Sequence, residues 1–403
     1  MRRYESYKDS GVEWLGEVPS HWNLIPNKYI FKLRKNVVGK RSNEYDLLSL
    51  SLKGVIKRDM ENPEGKFPAE FDTYQEVKEG DFIFCLFDVE ETPRTVGLSS
   101  YHGMITGAYT IFETNNVDKK FIYYFYLNLD SNKRLKPLYK GLRNTISKET
   151  FFSFNTFIPP LSEQQKISQF LDDKTAKIDQ TVDLAEKQIA LLKEHKQILI
   201  QNAVNRGLNP DVPLKDSCVE WIGQVPEHWE VKKIKTFAKI NNGLDYKAVI
   251  AEEGYPVYGS GGQFAYANTY LYDGEAVLLG RKGTIDKPLY INDKFWTVDT
   301  MFYCVCNNKV STKFFYYCCC SIIPFQYYST STALPSMTQS DILNHKVTFP
   351  SLEEQYQIAD YLDTQTAKID QAIALKTAHI EKLKEYKSVL INDVVTGKVR
   401  VSV

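Results

Sequence analysis

The spacing of apolar residues divides the chain into stretches of short and long period. Apolar runs such as Asp81-Phe82-Ile83-Phe84-Cys85-Leu86-Phe87 and Glu275-Ala276-Val277-Leu278-Leu279 follow glycine-bearing turns and predict strands. Aromatic runs follow, Phe121-Ile122-Tyr123-Tyr124-Phe125-Tyr126-Leu127 and Phe314-Phe315-Tyr316-Tyr317, and predict buried helices. The period then lengthens. Leu171, Ile178, Ala185, Leu192 and Leu199 recur every seven residues, with Val182 and Ile189 beside them. Leu362, Ile369, Leu383 and Leu390 do the same, flanked by Ile373 and Ile380 and interrupted by Lys376. Such a seam predicts two long coiled-coil helices. Each opens on a proline-led signal, Pro159-Pro160-Leu161-Ser162-Glu163-Gln164 and Pro350-Ser351-Leu352-Glu353-Glu354-Gln355, which places Ser162 at the first helix's N-terminus. About 40 residues at ~1.5 Å each make a helix of roughly 60 Å, longer than one domain's core requires. Each helix is the other's best apolar partner, so antiparallel pairing within the chain is favoured over a generic dimerisation coil.

A duplication organises these elements. Lys8-Asp9-Ser10-Gly11-Val12-Glu13-Trp14-Leu15-Gly16-Glu17-Val18-Pro19-Ser20-His21-Trp22 returns as Lys215-Asp216-Ser217-Cys218-Val219-Glu220-Trp221-Ile222-Gly223-Gln224-Val225-Pro226-Glu227-His228-Trp229, with eleven of fifteen positions identical at an offset of 207. A second match, from Pro159 through Thr175-Ala176-Lys177-Ile178-Asp179-Gln180, recurs at an offset of 191 as Pro350 through Thr366-Ala367-Lys368-Ile369-Asp370-Gln371. Between the two anchors the register changes by 207 − 191 = 16 residues and identity fades. The expected fold class is therefore α+β: two pseudo-repeated domains, residues 1–157 and 208–348, separated by helical spacers, 158–207 and 349–403, that form an antiparallel coiled coil.

Composition, 43% hydrophobic and 25% charged in 403 residues, fits a soluble globular chain of two domains. No apolar run approaches the ~20 residues of a membrane span and no secretory signal opens the chain, so the expected location is cytoplasmic with no membrane partner. Seven cysteines, an odd number in unpaired positions, predict buried free thiols, with neither a disulfide framework nor a metal site. A net charge of zero conceals an uneven distribution: from Tyr29 to Asp59 eight basic residues face three acids. A local basic surface of that kind suits phosphates.

These motifs resemble those of the specificity subunit of type I restriction-modification systems: Lys8–Gly16 with Val18-Pro19 and His21-Trp22, its second copy from Lys215, and the proline-led helices bearing Glu163-Gln164 and Glu354-Gln355. The resemblance covers essentially the whole chain. It implies two target-recognition domains, each binding one half of an interrupted double-stranded DNA sequence. It also implies two modification (methyltransferase) subunits docked on the helices, and restriction (helicase-nuclease) subunits that cleave. AdoMet, ATP and Mg are implied for those partners, and no cofactor for this chain.

Candidate chemistry agrees with a reader rather than a catalyst. Ile158-Pro159-Pro160-Leu161 lacks the flanking residues of an adenine methyltransferase loop, and neither Gly259-Ser260-Gly261-Gly262 nor Gly280-Arg281-Lys282-Gly283-Thr284 has nucleotide-loop spacing. No catalytic or metal-binding residue is assigned. As DNA contacts we single out Lys40, Arg41, Lys53, Lys57 and Arg58 of the basic stretch, then Lys140, Arg143 and Asn144. In the second domain they are Tyr258, Ser260, Gly262, Arg281, Lys282 and Thr284, with Thr332 in a small polar segment aligned to Lys140–Thr145. A plain hairpin turn at Gly259–Gly262, and ordinary solvated lysines elsewhere, are the competing readings. Trp14, Trp22, Trp221 and Trp229 lie in constant segments and are expected as core anchors rather than base-stacking platforms. His21 and His228 follow the same logic. A stand-alone DNA methyltransferase or nuclease, and a coiled-coil scaffold that ignores DNA, remain the alternatives.

Overall fold

Each copy of the opening motif folds into a hairpin that carries one tryptophan into a core. The computed structural model describes residues 2–59, 71–89, 92, 94–141, 144–282, 284–321 and 336–401. It comprises two compact units, Met1–Leu184 with His379–Val403, and Ala185–Ala378. In the first, β1 (Tyr7–Asp9) pairs with β2 (Glu17–Pro19). Gly11 and Gly16 take the left-handed backbone of the turn (φ 69° and 66°), which glycine adopts without a Cβ penalty. The strands β3 (Asn23–Pro26), β4 (Phe31–Arg34), β5 (Leu48–Ser51), β6 (Gly54–Lys57), β7 (Gln75–Val77), β8 (Phe82–Phe84), β9 (Val96–Leu98), β10 (Gly103–Ile105) and β11 (Thr110–Thr114) lead into α1 (Lys119–Ser131), α2 (Lys148–Ser153) and β12 (Asn155–Ile158). An antiparallel sheet runs β4-β11-β8-β9, and β12 returns to pair with β3.

The second unit repeats this plan after the long helix α3 (Leu161–Arg206). It contains β13 (Leu214–Asp216), β14 (Gln224–Pro226), β15 (Glu230–Lys233), β16 (Ala238–Asn242), β17 (Ile250–Ala251), β18 (Tyr255–Gly259), β19 (Gly262–Ala267), β20 (Tyr272–Gly280), β21 (Leu289–Thr297), β22 (Met301–Cys306), α4 (Thr312–Ser321), α5 (Gln339–Asn344) and β23 (Lys346–Phe349), followed by α6 (Leu352–Val395). Its sheet order, β16-β22-β20-β21-β18-β19-β17, begins with the same four strands as the first unit. The units differ at the edge, where the first has the separate pairs β5-β6 and β7-β10 and the second extends its main sheet by β18, β19 and β17. That is where the register between the two repeats changes.

The core of each unit lies between the sheet and its aromatic helix. Asp118 caps α1 by accepting from Phe121 N (2.8 Å), and the helix buries Phe121, Ile122, Phe125, Tyr126 and Leu129 along one stripe. Against it pack Phe31, Phe84 and Phe112, whose rings meet edge-on at 5.6–5.7 Å. In α4 the smaller Cys318 and Cys319 stand on the buried face.

The constant dipeptide at each helix start fastens domain to helix. Glu163 Oε1 accepts from Tyr4 OH (2.6 Å) and Trp22 Nε1 (3.2 Å), and its Oε2 lies 2.8 Å from His21 Nε2. Glu354 repeats the arrangement with Trp229 Nε1 (3.1 Å) and His228 Nε2 (2.8 Å). Gln164 accepts from Asp118 N (2.8 Å) and donates to Pro159 O (2.8 Å), while Gln355 accepts from Ser311 N (2.9 Å) and donates to Pro350 O (2.9 Å). Two turns further on, Tyr124 OH donates to Asp172 (2.8 Å) and Tyr317 OH to Asp363 (2.7 Å). Burial opposes ionisation of Glu354, but hydrogen bonds from His228, Trp229 and Ser351 outweigh it and hold its carboxyl down at about 2.

Within each unit the helices pair side by side. In the first, Leu171 and Ile178 of α3 share a core with Leu383, Leu390 and Ile391 of α6, and Asp179 bonds Lys387 (2.6 Å). In the second, Gln188 accepts from Lys376 (2.6 Å), so the residue that interrupts the seam has a polar partner, and Lys196 bonds Asp370 (2.7 Å). Partner numbers rise on α3 as they fall on α6, an antiparallel pairing. Leu362 and Ile369 are buried, and Leu192 and Leu199 half-buried. The compact units divide each long helix part-way along, which the four-segment division by sequence does not do.

Several expectations are corrected. Trp22 and Trp229 are fully buried, but Trp14 is half-buried beneath the Arg134 guanidinium (4.6 Å) and Trp221 is 39% exposed, stacked on His345 at 4.9 Å. Ser162 stands at the N-terminus of α3 as expected, but the helix opens one residue earlier, with Pro160 O accepting from Glu163 N (2.8 Å) and Gln164 N (3.0 Å). Ser351 is the capping residue of the pair, exchanging hydrogen bonds with Glu354 (3.2 and 3.3 Å). Cys218 is exposed where the other thiols are buried or half-buried, since it occupies the left-handed turn position of Gly11 (φ 55°). Arg143 and Thr332 lie outside the described residues.

Candidate nucleic-acid interface

In the second unit, three candidate segments gather around the turn Val298–Thr300. Ser260 and Gly261 form the tip of the β18-β19 hairpin, so the glycine run is a hairpin turn, with Gly262 at φ 108°. Tyr258 O accepts from Val298 N (3.2 Å) and Thr297 Oγ1 (3.1 Å). The loop after β20 arrives from the other side, with Arg281 N donating to Thr300 O (2.8 Å) and the Arg281 Nη1 to Asp299 O (3.4 Å). Between the hairpin and the turn Val298–Thr300 lies a cleft lined by Ser260, Gly262, Phe264, Val298, Asp299 and Thr300. Arg281 and Lys282 are exposed. Thr284 is half-buried, its carbonyl folded against Gly280 where a Cβ would overlap it. Burial raises the Tyr258 phenol above its usual range, so it stays neutral and can donate.

The polar segment before α5 joins the same place. Lys282 bridges to Ser336, and Met337 N donates to Arg281 O (3.0 Å). The first unit has the same junction: Ile146, 191 residues before Met337, donates its N–H to Leu86 O (2.8 Å) in the loop after β8. Lys140 and Asn144 belong to the tight loop beside it, closed by Lys140 N to Thr145 O (2.9 Å), with Asn144 left-handed at φ 44°. Asparagine tolerates that conformation better than most residues.

The basic stretch of the first unit is strung out rather than gathered. Lys40 and Arg41 are exposed in the turn Gly39–Glu44, Lys53 stands at the tip of the β5-β6 hairpin and Lys57 at its base. Lys57 is engaged by Asp46 (2.5 Å), and Arg58 donates its backbone N–H to Leu47 O (2.8 Å).

Sequence reasoning missed the exposed aromatics of the second unit. Phe264 and Tyr266 are 54% and 43% exposed on β19, and Tyr246 meets Phe264 edge-on at 5.0 Å beside the cleft. Large exposed rings of this kind are suited to stack on unpaired bases. The run Gln263-Phe264-Ala265-Tyr266, alternating beyond a glycine turn, was the available signal. Among the described residues there is no group of three His, Cys, Asp or Glu placed to hold a metal, and no helix long and apolar enough to cross a membrane.

Comparison with known proteins places this architecture. Residues 104–194 and 226–385 match the family described as type I restriction modification DNA specificity domain. The chain belongs to that family. As a specificity subunit it carries the family domain twice, once in each of the two repeats that the sequence shows. Similar curated proteins include the putative type I restriction enzyme MjaX specificity subunit of Methanocaldococcus jannaschii, 23% identical over 98% of this chain and 97% of that protein. The type I restriction enzyme EcoKI specificity subunit of Escherichia coli is 30% identical over 28% of this chain and 23% of its own. Among solved structures, a chain from work on complex assembly and conformational transition of the type I R-M system aligns with a TM-score of 0.71 at 12% identity, over 95% of this chain and 99% of that one. The HsdS subunit from Thermoanaerobacter tengcongensis aligns with a TM-score of 0.50 at 14% identity, over 95% and 98%. At these identities the likeness is one of fold.

Proposed function

We propose that each unit reads one half of an interrupted duplex DNA sequence, through the loop after β8 or β20 and the polar loop before α2 or α5. The observation that carries this is the shared loop junction, Leu86 to Ile146 and Arg281 to Met337, built alike in both units while the side chains around it differ. A constant support under variable side chains is what two different readers on one frame require. Lysines and arginines there supply phosphate contacts, and Arg281 is held in place to address a base edge. Two modest half-sites joined in one chain bind with high effective concentration.

In this reading α3 and α6 set the gap and anchor two modification subunits. The chain catalyses nothing itself and works in the cytoplasm. Methyl transfer from AdoMet belongs to the modification subunits, and ATP- and Mg-dependent cleavage to the restriction subunits. The Pro159-Pro160 pair supports the assignment, since it serves as a helix entrance. The test is to co-express the chain with its modification subunit and map methylated bases genome-wide. The expected result is one motif of two short parts separated by a fixed gap. A continuous motif, or none, would refute two readers. Exchanging residues 25–155 for those of another family member should alter one part only.

A further inference from the structure

The offset of 191 does not stop at the helix starts. It carries Lys193, Lys196 and Ile200 of α3 onto Lys384, Lys387 and Ile391 of α6, identical residues in each case, and Asp179 onto Asp370. Each lysine pair lines a cleft against the aromatic helix of a unit. In the first unit Lys384 and Lys387 face Leu127 and Asn128 of α1; in the second, Lys193 and Lys196 face Tyr316 and Cys320 of α4. A third cation borders each cleft, although Arg94 already donates to Leu52 O (2.9 Å) and lies 3.9 Å from Asp130. Arg94 stands two residues before β9 and Lys287 two residues before β21, the matching strand, although the loops that carry them differ. A cation kept at one topological position inside the divergent middle is not explained by half-site reading.

The first cleft holds polar atoms without partners. Asn128 is 3% exposed, and its Oδ1 accepts from Asn132 (3.0 Å), which leaves its buried Nδ2 unsatisfied, as is Arg94 Nε. Native proteins rarely leave a buried amide donor unpaired, so Asn128 points to a missing acceptor. The floor is apolar, Leu127 with Ile391 and Cys320 with Ile200, and the volumes, about 230 and 480 Å³, admit side chains rather than a folded segment.

We propose that the two clefts are equivalent sockets for an acidic segment of one partner protein, each taking a carboxylate against its lysine pair and a neighbouring apolar side chain on its floor. Duplex phosphates suit these sites less well, because the floors are apolar. Identical residues at both sites mean two copies of the same partner. The inference rests on the reading of the chain as anchor of two modification subunits and names where they attach.

The experiment is native mass spectrometry and titration of the full chain with its modification subunit. Wild type should carry two copies. Lys384→Gln with Lys387→Gln, or Lys193→Gln with Lys196→Gln, should weaken one copy by roughly ten- to a hundredfold, the range for lost charge-assisted hydrogen bonds, and leave the other as an internal control of folding. All four changes should weaken both, and four Lys→Arg changes should restore two. Two undiminished copies on the fourfold Gln variant would overturn the sockets while leaving the anchoring reading intact. If that variant instead lost only affinity for a random-sequence duplex, the clefts would be phosphate contacts and the proposal wrong. A wild-type chain that binds no modification subunit would refute both.

Discussion

Arg281 and Lys282 are neighbours on one loop, yet they should fail differently when removed. Arg281 is restrained, its Nη1 3.4 Å from Asp299 O and its guanidinium 5.8 Å from the Phe302 ring. A restrained, exposed guanidinium loses little further entropy on binding and suits a bidentate base edge. Lys282 is exposed, and among the described residues its ammonium has no partner, which suits a phosphate. Lys282→Ala should therefore reduce the slope of log affinity against log salt by about 0.9, whatever the sequence. Between ~50 and ~200 mM salt that is a change of roughly 3.5-fold in the ratio of variant to wild-type affinity. Arg281→Ala should leave most of the slope and cost about 1–3 kcal/mol of discrimination at one base pair, roughly 5- to 150-fold. The assay is fluorescence anisotropy of the assembled complex on duplexes carrying single changes in each half-site, at several salt concentrations. An unchanged slope for Lys282→Ala would remove it from the phosphate contacts. Equal weakening of every duplex by Arg281→Ala, or relaxed discrimination in both half-sites, would refute the assignment of this loop to one reader.

Other consequences concern the frame. Gly397 and Gly207 are both left-handed beside a core tryptophan (φ 74° and 77°), but a methyl at Gly397 would overlap Pro19 whereas one at Gly207 would stand 3.1 Å from Trp229 Cζ2. In urea unfolding followed by circular dichroism, Gly207→Ala should cost about 1–2 kcal/mol and Gly397→Ala about 2–5, strain plus overpacking; equal effects would contradict the geometry. The Glu354 carboxyl, held down at about 2, stabilises the fold fully above its unfolded pKa near 4.5, and that contribution fades as pH falls from ~4.5 toward ~2. Some 2.5 units correspond to about 3 kcal/mol at most, screened to about 1 for a side chain this open to water, so Glu354→Gln should lower stability by that much at neutral pH and lose its deficit near pH 2. A deficit constant with pH would show that the carboxylate charge is not what matters. Burial pushes the Cys306 thiol to about 12 and Cys320 to about 11, and the others of the buried set rise as well, so only Cys218 should react promptly with a thiol reagent at neutral pH. Rapid titration of two or more thiols in the folded protein would contradict this.

How much of this was legible depended on whether the determining contact was local or distant. The seam of α3 and α6 and the aromatic runs of α1 and α4 are periodic within one segment, and apolar spacing alone reveals them. Trp221 was misread because its burial depends on His345, more than a hundred residues away, and no local pattern distinguishes it from Trp229. The Glu-Gln pairs were visible as a repeated motif, but their roles were not: each side chain serves a different distant element. The lysine pairs of the sockets were available in the sequence, since the offset of 191 runs through Lys193 and Lys384, and were passed over because a helix lysine normally signifies only a solvated face. The gathering of Ser260, Arg281 and Ser336 around Val298–Thr300 required the crossing of β20, β21 and β18, which periodicity does not supply.

The duplication itself has a physical rationale. A symmetric dimer of one unit would present the same reader twice and so recognise the same half-site twice. Joining two copies in one chain frees each middle to diverge, provided the parts that hold it to the helix do not. The residues that stayed identical are those with partners on another element: Trp22 and Trp229 with the glutamates, Gln164 and Gln355 with the starts of α1 and α4, Asp172 and Asp363 with the tyrosines. Changing any of them leaves a buried donor or acceptor unpaired, at a cost of about 1–3 kcal/mol. Residues such as Lys140, Ser260 and Lys282 have no such obligation, because the loops that carry them are held by backbone hydrogen bonds that any side chain permits. Specificity can then change without loss of the fold, because the bonds that set loop position and the atoms proposed to meet DNA belong to different parts of the same residues.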